Sequence, residues 1–216
     1  MPTVLSTARN SVPSHTAMTW PPSVTLEAAH VRLEPLSQTH APALAEAVED
    51  GELWRLWYTV VPRPEEMGAE IARRLALRER GTMLPFAVVD RALGRAVGMT
   101  TYMNVDGSVP RVEIGSTWYR RAVQRGPLNT ECKFLLLGHA FDVLGCAVVE
   151  LRTHFFNHQS RRAIERIGAK LDGILRHHTR QPDGSLRDTC VYSILAGEWP
   201  AVRSHLTWQL ERPRQV

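Results

Sequence analysis

From residue 30 onward, stretches that alternate polar and apolar positions take turns with stretches whose apolar residues recur every three or four positions. His30-Val31-Arg32-Leu33-Glu34-Pro35-Leu36 alternates and predicts a strand, which Pro35 assigns to an edge because it has no N–H to donate. Pro42 to Val48 predicts a short helix with proline in its first turn, and Glu65 to Leu77, with Met67, Ile71 and Leu75 on one side, predicts another. Met83 to Val89 and Ala96 to Val105 read as neighbouring strands turned by Arg91-Ala92-Leu93-Gly94, and Arg111 to Trp118 as a further strand. Phe134, Leu137, Phe141 and Leu144 then mark a helix that Gly145 can end in a left-handed cap. Ala147 to Phe155 predicts a strand, and Asn157 caps a helix whose apolar side is Ala163, Ile164 and Ile167 and which ends at Gly168. Leu171 to Thr179 and Asp188 to Leu195 form a hairpin across Gln181-Pro182-Asp183-Gly184-Ser185, followed by a helix from Gly197 to Leu210.

This order of elements describes a mixed α/β protein, and 216 residues suit one hydrophobic core. Residues 24–216 are therefore expected to form a single domain. Residues 1–23, rich in Ser, Thr and Pro and lacking a basic start followed by an apolar stretch, read as a flexible tail rather than a secretory signal. With 44% hydrophobic and 22% charged residues and no apolar run of membrane-spanning length, a soluble, cytoplasmic protein without a membrane partner is expected. Cys132, Cys146 and Cys190 lie far apart, which argues against both a disulfide framework and a zinc site, and a reducing compartment fits. Net charge is +4, with arginines gathered at Arg120, Arg121 and Arg125 and at Arg161, Arg162 and Arg166. These are either solvated faces or an attraction for a small polyanion. No nucleic-acid partner is expected, since aromatic residues do not interleave with the basic ones.

The segment Gln124-Arg125-Gly126-Pro127-Leu128-Asn129-Thr130-Glu131-Cys132-Lys133 runs a Gly/Pro turn straight into a helix start. The first amides of a helix have no partner within it and sit at the positive end of its dipole, so this turn is either an ordinary cap or an anion site.

Residues 113–176 together resemble the GNAT superfamily of acyl-CoA-dependent N-acetyltransferases, and within it the RimJ/RimL-like branch. Val112-Glu113-Ile114-Gly115 resembles the branch's central strand, Gln124 through Glu131 its pyrophosphate loop, and Phe134 to Leu144 the helix after it. Asn157-His158-Gln159-Ser160 opens a helix like its Asn-x-x-Ser helix, and Gly173-Ile174-Leu175-Arg176 resembles its closing strand. The resemblance implies a GNAT fold, with a central, mostly antiparallel sheet of six to seven strands flanked by helices. It further implies acetyl-CoA as co-substrate and no metal. Gln124, Arg125, Gly126, Leu128, Asn129, Thr130 and Asn157 would hold the CoA, and backbone amides between Ile114 and Ser116 would polarise the thioester carbonyl.

Pro127 and Asn129 in the loop, where the superfamily pattern has Gly and then Gly or Ala, and Ile164 in the later helix depart from that pattern. Pro127 stands where the loop would offer a glycine amide, so one phosphate donor is missing, and Gly126 is the nearby source of flexibility. The tyrosine that many members place seven residues after the Asn is here Ile164, and Ser160 occupies the place that suggests a serine acid in RimL-like members; otherwise Asn157 and Ser160 simply cap a helix. Glu113 is the candidate base, read against the alternative of a strand glutamate paired with arginine. At pH 7 an α-amine of pKa about 7.7–8.0 is neutral in roughly a tenth to a fifth of molecules, a lysine in fewer than about one in a thousand, so one carboxylate can serve an α-amine.

Trp54, Trp57 and Tyr58 lie between the first two helices, where the superfamily builds its acceptor wall, and are candidates for substrate contact or for core packing. His154 ranks behind Glu113 as a base, and His177 and His178, adjacent on one strand, are expected to face opposite sides. The reading is direct acetyl transfer to a primary amine, a protein or peptide α-amine or, as the rival, the amine of a small molecule such as an antibiotic, an aminoacyl-nucleotide or a metabolite. A third reading is a non-catalytic acyl-CoA-binding module. The branch often forms homodimers, and Trp199, Leu206 and Leu210 on the last helix offer a surface for one.

Overall fold

The computed structural model describes residues 20–212. Eight strands form one sheet: β1 (Leu26–Glu27), β2 (Val31–Pro35), β3 (Met83–Asp90), β4 (Arg95–Asp106), β5 (Arg111–Tyr119), β6 (Val148–His154), β7 (Lys170–Arg180) and β8 (Leu186–Leu195), ordered β1-β2-β3-β4-β5-β6-β8-β7. All pairs are antiparallel except β5 with β6. Five helices accompany it: α1 (Ala41–Glu49), α2 (Met67–Glu79), α3 (Leu128–Gly138), α4 (His158–Arg166) and α5 (Trp199–Glu211).

The class is the one expected, with one strand more than the six to seven anticipated. The addition is β1, two residues too short to show any alternation, paired with Arg32 and Leu33 of β2. Pro35 lies beyond that pairing and faces only Phe86 of β3, so it sits at a local edge as its chemistry requires. The helix expected through Leu144 changes character after Gly138, continuing as a π-helical turn over His139–Val143 before Gly145 ends it at φ +64°. A bulge between Leu175 and Thr179, with His177 at φ +49°, interrupts the strand alternation expected for His177 and His178. Most of the tail expectation lies outside the described residues; Trp20, at its end, packs against the larger core.

The parallel β5–β6 pair requires a crossover, which α3 supplies. Leu128, Cys132, Leu136 and Leu137 of α3, Ile164 of α4 and Trp199, Val202 and Leu206 of α5 bury one face of the sheet against Val112, Ile114, Val149, Leu151, Tyr192 and Ile194, so Trp199 and Leu206 are core residues rather than the surface for a second copy that the sequence suggested. On the other face, Leu44, Ala47 and Val48 of α1 and Met67 and Ile71 of α2 cover Ala87, Val89, Ala96, Met99 and Trp118 of β3, β4 and β5. Leu136 is completely buried, so Leu136→Ala would cost roughly 2–5 kcal/mol.

Candidate active site

The parallel pairing of β5 and β6 is brief: Arg111 faces Val148, Val112 faces Val149 and Glu113 faces Glu150. Beyond Glu113 the strands part, although β5 continues to Tyr119 and β6 to His154, and a wedge opens between them. Backbone groups on that side of β5 are therefore left without a strand partner. On its other side β5 carries a bulge, because Thr101 pairs with Gly115 and Met99 with Trp118, leaving Ser116 and Thr117 opposite Thr100, with Ser116 at φ +46°. The backbones crowd there: a Cβ on Gly98 would stand 2.2 Å from the Trp118 carbonyl oxygen, so only glycine fits.

Two buried cations brace this bulge. Arg74 of α2 donates from Nε to Glu70 Oε1 (2.7 Å) and from Nη1 to Thr101 Oγ1 (2.7 Å), with a long contact of 3.5 Å to the Ser116 carbonyl. Lys133 of α3, only 7% exposed, donates to Thr117 Oγ1 (3.3 Å), whose hydroxyl also meets Thr100 Oγ1 (2.8 Å). Lys133 has no ion pair with a carboxylate among the described residues, and burial lowers its pKa to about 8.

At the wide end of the wedge the turn into α3 takes shape. Gln124 donates its side-chain amide to the Tyr119 carbonyl (2.8 Å), tying the turn to the end of β5. The left-handed residue is Arg125, at φ +62°, rather than Gly126, where the sequence had suggested the flexibility; a non-glycine residue held there costs on the order of 1 kcal/mol. Pro127 is the N-cap and no side chain caps the helix, so the amides of Leu128, Asn129 and Thr130 face outward along its axis while Glu131 N–H returns to the Pro127 carbonyl (3.0 Å). The donor that proline lacks thus precedes the three first-turn amides. Leu128 is buried and Thr130 accepts a bond from Arg166 (3.1 Å), so these two offer backbone rather than side chain.

The start of α4 is different. Asn157 Oδ1 accepts from Ser160 N–H (3.0 Å), a self-made cap that leaves the Asn157 amide nitrogen as a donor. The Ser160 hydroxyl is half-buried and makes no hydrogen bond to a described residue, and Ile164 belongs to the core.

Where the wedge begins, Glu113 is buried on the face opposite α3. Burial raises its pKa above the usual carboxylate value, against a hydrogen bond from Asn104 Nδ2 (2.7 Å) and the charge of Arg152. Arg152 Nε stands 3.5 Å from Glu113 Oε2 but is misaligned for a hydrogen bond, while its Nη2 donates to Glu150 Oε2 (2.7 Å). Gly115 makes room for the carboxylate: a Cβ there would lie 2.7 Å from Met103 Sδ and 3.0 Å from Glu113 Oε1. A cavity of about 420 Å³, lined by Asn104, Asp106, Arg111, Glu150 and Arg152 among others, adjoins these partners.

The three aromatics separate. Trp54 packs on the core under α1 and α2, whereas Trp57, 55% exposed, joins Tyr58 (5.7 Å), His154 (5.1 Å) and Phe156 (5.8 Å) in an open cluster. His154 Nδ1 accepts from Phe156 N–H (3.1 Å), which leaves Nε2 to carry the ring proton, and burial lowers the pKa of the imidazole. Sequence reasoning missed Asn104, Arg152, Arg74 and Lys133. Their roles depend on strand register and on the bulge, neither of which leaves a periodic signal.

An acetyltransferase (GNAT) domain model matches residues 30–170. The chain belongs to the GNAT acetyltransferase family. With the family comes the class of activity, acyl-CoA-dependent N-acetyl transfer. The acetyltransferase is 34% identical to a GCN5-related N-acetyltransferase from Brucella melitensis, with a TM-score of 0.77 over 87% of this chain and 86% of that one. It shares its fold with Mycobacterium smegmatis RimJ, solved in complex with CoA-disulfide (22% identity, TM-score 0.74, 88% and 96% covered). It also shares its fold with a Salmonella typhimurium acetyl transferase described as modifying the N-terminal serine of ribosomal protein L7/L12 (16% identity, TM-score 0.70, 80% and 99% covered). Comparison with curated proteins finds no match. Among the described residues no helix is long and apolar enough to cross a membrane, and no group of three or more His, Cys, Asp or Glu side chains is placed to hold a metal ion.

Proposed function

We propose that this acetyltransferase moves the acetyl group of acetyl-CoA directly to a primary α-amine of a peptide or protein. The observation that carries this reading is the wedge between β5 and β6, with an uncapped helix start at its wide end and a buried carboxylate where it begins. The residues present suit a CoA thioester: three free first-turn amides and Arg125 for the pyrophosphate, and an unpaired strand edge for the extended arm. Acetyl-CoA supplies the activated acyl group.

Backbone amides between Ile114 and Ser116, held by the bulge, polarise the thioester carbonyl, and the Arg74 and Lys133 charges keep that bulge in place. Glu113 takes the proton from the attacking amine, directly or through one water. Its raised pKa brings it nearer to the amine's own, which improves a general base. Ser160, whose hydroxyl is uncommitted, protonates the leaving thiolate, with Asn157 fixing the turn that presents it. Trp57 and Tyr58 form a wall of the acceptor side with His154. The fold shared with the Salmonella enzyme, described as modifying an N-terminal serine, supports a polypeptide acceptor.

The test is thiol release from acetyl-CoA over a panel of peptides, amino acids, aminoglycosides and nucleoside-linked amines. Release with peptides bearing a free α-amine is expected, and its loss on N-terminal blocking. Release confined to small molecules would overturn the acceptor reading.

A further inference from the structure

The face of the sheet that carries Glu113 has an apolar helical cover over only half its width. The apolar cluster beneath α1 and α2 takes its strand residues from β3, β4 and β5 alone. Val149, Leu151, Cys190, Tyr192 and Ile194 turn to the opposite face, so strand alternation aligns Glu113, Glu150, Arg152, His154, Thr189 and Arg187 on the half that this cluster does not reach. The Trp57 loop borders it, touching His154 and receiving a long contact (3.5 Å) from Gln181 near the β7–β8 turn.

Charges on this floor are matched except at one place. Arg152 is shared between Glu113 and Glu150. The neighbouring Asp188 is taken by Arg176 (2.7 Å) and by the His177 amide (2.8 Å). Arg187 is half-buried, yet it donates only from Nε to Thr189 Oγ1 (3.1 Å) and has no ion pair among the described residues. Burial disfavours its charge, while Glu113 and His154 both feel that charge across the floor. A partly desolvated guanidinium with both NH2 groups unused is matched by the planar, bidentate geometry of a carboxylate.

We propose that Arg187 binds a carboxylate of the acceptor, so that this acetyltransferase selects amines carrying an acidic group close to the reacting nitrogen. The inference rests on Glu113 marking the amine's position, as in the acetyl-transfer reading. In a peptide acceptor the acidic group is an aspartate or glutamate just after the N-terminal residue.

The test uses the full chain with alanine-aspartate and alanine-asparagine peptides of equal length. Steady-state rates give KM and kcat, and calorimetry of the CoA-loaded protein gives peptide affinity without turnover. The aspartate peptide is expected to show a KM and a Kd about tenfold lower than the asparagine peptide. In Arg187→Gln that preference disappears, and Arg187→Glu reverses it towards an alanine-lysine peptide, with acetyl-CoA affinity unchanged throughout. Equal affinity for the two peptides in the natural protein, or a preference that survives Arg187→Gln, would overturn the inference. Arg187-dependent binding of the aspartate peptide without thiol release would uphold it and refute the acetyl-transfer reading instead.

Discussion

Two helices begin where the parting strands end, α3 after β5 and α4 after β6, and they begin in opposite ways. The start of α4 satisfies itself, with Asn157 accepting the Ser160 amide. The start of α3 has proline at its N-cap, no capping side chain, a left-handed arginine before it and, within the helix, a buried lysine with no carboxylate partner. Each of these features costs stability, and they gather at the wide end of the wedge. Local costs concentrated at one place, beside a neighbour that avoids them, are what the proposed CoA-binding role of this turn would require.

Breaking the site at the point where the wedge opens should have the largest effect. Glu113→Gln keeps the shape and removes the proposed base, and should lower kcat by about 100- to 10,000-fold in steady-state assays with a peptide acceptor. In the natural protein kcat/KM should fall as pH drops through the raised Glu113 pKa, because protonation removes the base, and that limb should be missing in the variant.

Next comes Lys133. Its pKa of about 8 lies below the 10.5 of an exposed lysine, so between these values the unfolded chain holds the proton more tightly and stability rises with pH. The full cost is present below pH 8 and amounts to about 3 kcal/mol. Lys133→Met should therefore be more stable than the natural protein in urea unfolding at pH 7, with the gain shrinking as pH approaches 10.5, and should lose activity because the bulge loses its brace. A variant less stable at pH 7 would show that the Thr117 contact outweighs desolvation.

Two smaller changes sharpen the contrast between the helix starts. Asn129→Asp adds a negative charge to the first turn of α3, which favours the helix by about 0.3–1 kcal/mol and opposes a phosphate. A higher Tm together with roughly tenfold weaker acetyl-CoA binding by calorimetry is expected. Asn157→Ala removes the α4 cap and should lower stability by about 1 kcal/mol, read from denaturant midpoints, while Asn157→Asp should restore it.

Most elements were legible in the sequence, because a strand or helix with one face to bury shows a period, whereas β7, exposed along almost its whole length, was legible through the Gln181–Ser185 turn that pairs it with β8. The places of Glu113 on β5, of Asn157 as a helix cap and of the turn into α3 were legible as well, through their order along the chain. The partners of Glu113 were not: Asn104 reaches it across the β4–β5 pair and Arg152 across the brief β5–β6 pair, and register is invisible in one strand alone. Nor did composition distinguish Trp54 from Trp57, three residues apart, one packed on the core and the other exposed beside His154. The expectation that Gly126 would bend the turn failed for a related reason: the strand end and Gln124 fix the path, and the strain falls on Arg125.

The most direct test of the central claim is an amide NMR titration of the protein with ADP, which carries the pyrophosphate without the thioester arm. The account predicts saturable shifts at the amides of Leu128, Asn129 and Thr130 and little movement of the Ser160 amide, which Asn157 already holds. Shifts centred on α4 with α3 unmoved would contradict it.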